Sequence, residues 1–226
     1  MPPRPPKISA SLLEGYSEFI ARAGLDIAML LPKAKLRPDD LTDMDRQLDL
    51  NRVALLMHLA AERAGRPGLG LEWANAYRRG ASGVLGYLLM HAPNAQAALK
   101  DVKRYVSLLL HPVDVRYEEG AETGVLSWRF PDTLTAPRAQ LATFLMGALV
   151  VRLRDIVGPS WFPHRLELEH YELDCRPITE RTLGRNILYN REHNAIHMIW
   201  KNLTKVSANT DHRLFKLITD LAERYL

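Results

Sequence analysis

Apolar residues in the first half of the chain recur at three- and four-residue intervals, the period of a helix with one buried face. Leu12, Tyr16, Phe19, Ile20 and Ala23 form the first stripe. Ser11 and Glu14 have the spacing of a capping box, and Gly24 stands where a helix ends, so a helix is predicted from Ser11. A second, short helix over residues 26–31 stops at Pro32. Residues 38–49 carry five aspartates and little apolar period, and read as a loop with one turn of helix. Val53, Leu56, Met57 and Ala60 then mark a helix over residues 50–64, ended by Gly65 and Pro67. Residues 83–110 read as two helices separated at Ala92-Pro93-Asn94, since proline disfavours the helical region for the residue before it. Asn94 caps the second helix. There Ala98, Leu99, Val102, Val106 and Leu109 face inward, Lys100, Asp101, Lys103 and Arg104 outward, and Tyr105 lies at the border.

Beyond residue 110 the period changes to two. Val113, Val115 and Tyr117, a glycine-bearing turn over 120–124, then Leu126, Trp128 and Phe130 predict an antiparallel hairpin. A helix over 138–157 is apolar almost all round in its middle, so it is expected to be covered on both faces. Leu166, Leu168 and His170 make a third strand, residues 174–185 read as a polar loop, and residues 187–189 with 194–200 as a last strand pair. A terminal helix over 211–226 carries Leu214, Leu217, Ile218 and Leu221 on one face. The fold class is α+β: an N-terminal helical subdomain and a central buried helix packed on an antiparallel β-sheet. Residues 1–8, rich in proline, are expected to be a disordered arm, residues 9–208 a single domain, and residues 209–226 a terminal helix following it.

Composition narrows the class. With 47% hydrophobic and 25% charged residues, the 226-residue chain has the make-up of a soluble globular protein with a real core. The net charge of +4 is spread among interleaved acids and bases, which reads as a mixed solvated surface rather than a nucleic-acid face. One cysteine, Cys175, excludes an internal disulfide and fits a reducing compartment. The first residues lack the apolar core of a signal peptide, and the longest apolar run, 141–151, is far short of the ~20 residues a membrane helix needs. A cytoplasmic location follows, in which the glycosylation-like Asn202-Leu203-Thr204 has no consequence.

No residue set reads as catalytic or metal-binding. His193 and His197 would share one face of a helix, but the alternation around them indicates a strand, where four residues span about 13 Å. Cys175 lacks an orienting third group. Glu167 and Glu169 lie beside Arg165 on the polar face of a strand, and Gly68-Leu69-Gly70 has neither the preceding strand nor the third glycine of a phosphate loop. A ligand pocket fits better. Trp128, His170 and Tyr189, inward-facing on the strands, are expected to meet Phe144 and Tyr105 at the seam between sheet and helices.

The run Gly83-x-x-Gly86-Tyr87, Ala92-Pro93-Asn94, Ala98-Leu99 and Arg104-Tyr105 resembles the central block of the non-cupin sensor domain in one branch of AraC-type bacterial transcription regulators, that of the ornithine- and arginine-responsive and several virulence regulators. Residues 56–71 and 184–203, with Ile187, Tyr189, Asn194, Ile196 and Met198, fall in the same order, so the resemblance spans roughly residues 11–221. Pro93-Asn94 departs from it, since a serine or threonine cap is expected there. The resemblance implies an effector-binding, homodimerising sensor domain without cofactor or enzymatic activity. It also implies that DNA is reached only through a helix-turn-helix domain, on the order of 100 residues, beyond this chain. The terminal helix lacks a capping glycine, which agrees with such a continuation. The alternatives are a small metal-dependent or hydrolytic enzyme using His193 and His197, and a nucleic-acid binder relying on net charge.

Overall fold

The computed structural model of the chain describes residues 5–201 and 211–226. The start of the expected arm, the Asn202-Leu203-Thr204 site, the end of the 184–203 segment and the 208–209 boundary lie outside the described residues. The fold is α+β.

Lys7 and Ile8, the last residues of the expected arm, belong to β1 (Lys7–Ser9): Ile8 is 1% exposed and pairs with Leu48 and Leu110 on either side. The buried isoleucine and the backbone pairing with a strand on each side together hold these residues. The first predicted helix is broken in two. A 3-10 turn, Ala10–Leu13, is capped by Ser9 rather than Ser11, and α1 (Tyr16–Arg22) starts only after Gly15, whose φ of 80° no continuous helix contains. The short second helix is a 3-10 turn, Ile27–Met29, capped by Asp26. β2 (Gln47–Asp49) leads into α2 (Leu50–Ala64), which has the predicted bounds and ends on a left-handed Gly65.

Residues 69–76, around the dismissed glycine loop, form a helix, α3 (Leu69–Ala76). α4 (Gly83–His91) and α5 (Ala95–Tyr105) follow, with the Asn94 side chain accepting from the Ala97 amide at 2.8 Å as the sequence predicts. β3 (Leu110–His111) completes a three-stranded antiparallel sheet in the order β2-β1-β3. The hairpin is β4 (Asp114–Glu119) and β5 (Thr123–Arg129); the long helix is α6 (Ala139–Val157). α6 packs on α3, α2, α4, α5 and the sheet, so it is covered on more than one side. The absence of a side chain at Gly147 permits the close approach to α3: a Cβ there would sit 2.7 Å from that of Ala74.

β6 (Arg165–Glu167), α7 (Arg176–Leu183), β7 (Ile187–Leu188) and β8 (Asn194–Ile199) complete the second sheet, in the order β4-β5-β8-β6-β7. Two expectations change here. The polar loop contains α7, begun by Pro177 and closed by Gly184, and β7 pairs with β6 in parallel, not with β8. Parallel neighbours need a crossover, and α7 lies in it. β8 pairs antiparallel with both β5 and β6. Register sets the two faces: Val115, Trp128 and Asn194 lie abreast, as do Leu126, Ile196 and Leu166, facing the core, while Arg165 and His197, with Glu167 one register step along, share the outer face.

α8 (His212–Tyr225) lies against α4 through Phe215, Ile218 and Ala222. Ile218 therefore faces inward, apart from Leu214, Leu217 and Leu221, which stay exposed. Among the described residues no helix is long and apolar enough to cross a membrane.

Candidate functional site

A cavity of about 120 Å³ lies between the β4–β5 hairpin and helices α4, α5 and α6. Its floor is the inner face of the hairpin, Val115, Leu126 and Trp128, which alternation places toward the core. α4 contributes Leu85 and Leu89 and α5 contributes Val102, with Val106 just beyond it. α6 presents Leu145, Ala148, Leu149 and Arg152, a stripe at helical spacing. These α6 residues are only half-buried, whereas Phe144, Met146, Val150 and Leu153 on the same helix are 1% exposed or less. Apolar side chains that are neither packed nor at the surface are what a cavity wall consists of.

The polar groups are few. The Tyr77 hydroxyl donates to the Ser11 carbonyl at 3.2 Å and lies 2.7 Å from the Ser82 hydroxyl. Burial pushes its ionisation well above the ordinary tyrosine value, so it stays a neutral donor. Arg152 donates to the Tyr77 carbonyl and pairs with Asp155 at 2.9 Å. Trp128 lines the floor, and its indole N–H is buried without an acceptor, as is the side-chain amide nitrogen of its register partner Asn194 in β8. An unpaired buried donor costs roughly 1–3 kcal/mol, so these two groups are locally unfavourable as they stand.

The five residues singled out from the sequence do not converge. Trp128 alone among them lines the cavity. Phe144 belongs to an aromatic cluster, 6.0 Å from Trp73 and 5.2 Å from Tyr77 between ring centroids, and is ordinary core. His170 and Tyr189 meet each other at 6.1 Å on another side of α6. There the His170 Nε2 lies 3.0 Å from the Thr143 hydroxyl, and burial lowers its pKa, so the ring is neutral near pH 7. Tyr105 is buried at the end of α5, its hydroxyl donating to Glu223 of α8, and burial followed by that carboxylate raises it to about 12. The wall residues of α6 were missed because the helix reads as apolar all round. The available signal was Arg152, one turn past Ala148 on an otherwise apolar stripe.

The other candidates have structural employment. His197 lies 3.0 Å and His193 3.7 Å from the Glu167 carboxylate, which Arg165 also reaches at 3.2 Å, on the outer sheet face. Burial, then Arg165, lowers the His197 pKa. Among the described residues no group of three or more His, Cys, Asp and Glu side chains is arranged to hold a metal ion. Cys175 sits 3.3 Å from the Thr179 hydroxyl with its thiol pushed up by burial, the opposite of an activated nucleophile. Glu169 is held by Arg138 at 2.9 Å.

Comparison with known proteins places this architecture. The crystal structure of the transcriptional regulator CdpR from Pseudomonas aeruginosa superposes with a TM-score of 0.56 at 19% identity, covering 92% of this chain and 65% of that one, a likeness of fold. The chain thus spans 65% of the length of that relative. No curated protein matches the chain. Residues 24–202 match the family described as the arabinose-binding domain of AraC transcription regulators, N-terminal. That span contains every wall of the cavity except Leu12, and the chain belongs to this family of AraC-regulator N-terminal domains.

Proposed function

We propose that this chain is the effector-sensing and dimerising domain of a cytoplasmic AraC-type transcription regulator, with the cavity between the hairpin and α4–α6 as its effector site. It performs no chemistry of its own, and DNA contact belongs to a separate helix-turn-helix domain. The observation that carries the reading is the cavity itself: apolar, walled by half-buried side chains, with the Trp128 ring on its floor. Of the residues first read as ligand-binding, Trp128 is retained as a contact. Tyr105 acts instead in transmission.

The connection to α8 supports this assignment. α4 and α5 each present one face to the cavity, and α4 also packs on α8. Tyr105, one turn beyond Val102, donates to Glu223 of α8, and Arg104 pairs with the same carboxylate at 2.7 Å. An effector that fits only one packing of α4 and α5 shifts the population of two arrangements and with it the seat of α8. The exposed Leu214, Leu217 and Leu221 then serve as a contact with a second copy.

A thermal-shift screen of the purified chain tests the site. A ligand at a hundred times its dissociation constant stabilises by about 2.7 kcal/mol, several degrees for a domain of this size. Ala148→Leu adds apolar volume at the cavity wall and is expected to leave the unliganded midpoint unchanged or raised by ~2–4 °C, a gain of about 1 kcal/mol, while abolishing stabilisation by the ligand. A ligand whose effect survives this substitution would place the site elsewhere.

A further inference from the structure

Beside the apolar cavity lies a second, larger pocket of about 290 Å³ that shares Leu89 and Arg152 with it. It adds charged groups to an apolar lining of Leu89, Met90 and Ile156. Arg79 and Arg152 converge there on Asp155, at 2.7 and 2.9 Å, so among the described lining residues two guanidiniums share one carboxylate and one positive charge is left over. The imidazole Nδ1 of His91, in the same lining, is buried without a partner. Arg152 is held with its side chain 11% exposed, by Asp155 and by the Tyr77 carbonyl, so its position is fixed before anything binds.

The two pockets together describe one ligand. We propose that the effector is an amphipathic monocarboxylate, its apolar body in the cavity and its carboxylate at the mouth against Arg152, Arg79 and His91. This rests on the reading of the cavity as the effector site. Size limits the body: 120 Å³ is less than the ~150 Å³ apolar cavity that takes benzene, so a phenyl ring or about six carbons fills it, one or two further carbons reach toward Arg152, and a long acyl chain does not fit. Charge limits the head. A single excess cation matches a monoanion, whereas a zwitterionic amino acid would bring an ammonium to a place whose one carboxylate is already paired with two arginines.

The test is calorimetric titration of the purified chain with hexanoate, octanoate and phenylacetate, with the corresponding amides and alcohols, phenyl phosphate, hexadecanoate and acetate. The short carboxylates are expected to bind at least tenfold more tightly than their amides and than acetate, and Arg152→Gln to remove that preference. Because Arg152 also holds the Tyr77 carbonyl, Arg79→Gln, on a largely exposed side chain, is the second variant, expected to weaken the carboxylates about tenfold and leave the amides unchanged. Amides or alcohols binding as well as the acids, and blocked by Ala148→Leu, would overturn the head-group assignment while leaving the cavity reading intact. Carboxylate binding untouched by Ala148→Leu would overturn both. Tighter binding of phenyl phosphate would replace the carboxylate by a dianion, and tighter binding of hexadecanoate would overturn the size limit.

Discussion

Asp101 shows what periodicity alone misreads at a single residue. Placed by spacing among Lys100, Lys103 and Arg104 on the solvated side of α5, it is instead half-buried, with one carboxylate oxygen buried and unpaired. Burial pushes its carboxyl from 3.8 to about 6, against the pull of Arg104. A carboxyl raised on folding holds its proton more tightly in the folded chain. It therefore favours folding fully below its unfolded value, and that increment is lost as pH rises through about 6. Asp101→Asn keeps the shape without the charge. It is expected to raise the stability at pH 7.5 by on the order of 1 kcal/mol, the figure reduced for solvent screening, seen as a thermal midpoint higher by ~2–4 °C, with the gain shrinking toward pH 4.5. Equal gains at both pH values would show that burial of the charge is not the cause. The sites fared similarly at this scale: Trp128 was legible because strand alternation aims it inward, whereas Phe144, His170 and Tyr189 also point inward but are distributed around α6 rather than gathered on one side. Alternation gives the face of a residue, not which part of the interior it meets.

Elements with one strong period were legible, and those with two roles were not. α2 has its predicted bounds, since a clean stripe, an aspartate cap and a terminal glycine agree. α7 was hidden by polar composition, although Pro177 and Gly184 punctuate it, and without α7 the parallel β6–β7 pairing had no crossover to suggest it. α8 has two apolar faces at adjacent angles. Phe215, Ile218 and Ala222 dock on α4, leaving Leu214, Leu217 and Leu221 at 37, 67 and 41% exposure. Their three- and four-residue spacing is that of a helix–helix seam. Size-exclusion chromatography with light scattering is expected to find twice 25.7 kDa for the chain, and half of that for Leu217→Glu at an unchanged thermal midpoint. A wild-type monomer at every concentration would remove the dimer role from this face.

For the whole molecule, fold class and family were within reach of the sequence, because the long helices and the β4–β5 hairpin each carry a clear period and the apolar content supports one core. Sheet order and the cavity were not, since both depend on where elements meet. The cavity lies where the helical part meets the sheet, and its α4 and α5 walls connect to α8 by packing and by the Glu223 contacts. The central claim, that an effector occupies this cavity, is tested most directly by the indole N–H resonances of the four tryptophans. Trp128→Phe identifies the Trp128 signal, and Trp200, whose N–H donates to the Gly120 carbonyl at 3.0 Å, serves as an internal reference. On titration with octanoate, phenylacetate or the most stabilising compound of the screen, the Trp128 signal is expected to move saturably while that of Trp200 stays in place. A ligand that raises the midpoint and leaves the Trp128 signal unmoved would contradict the account.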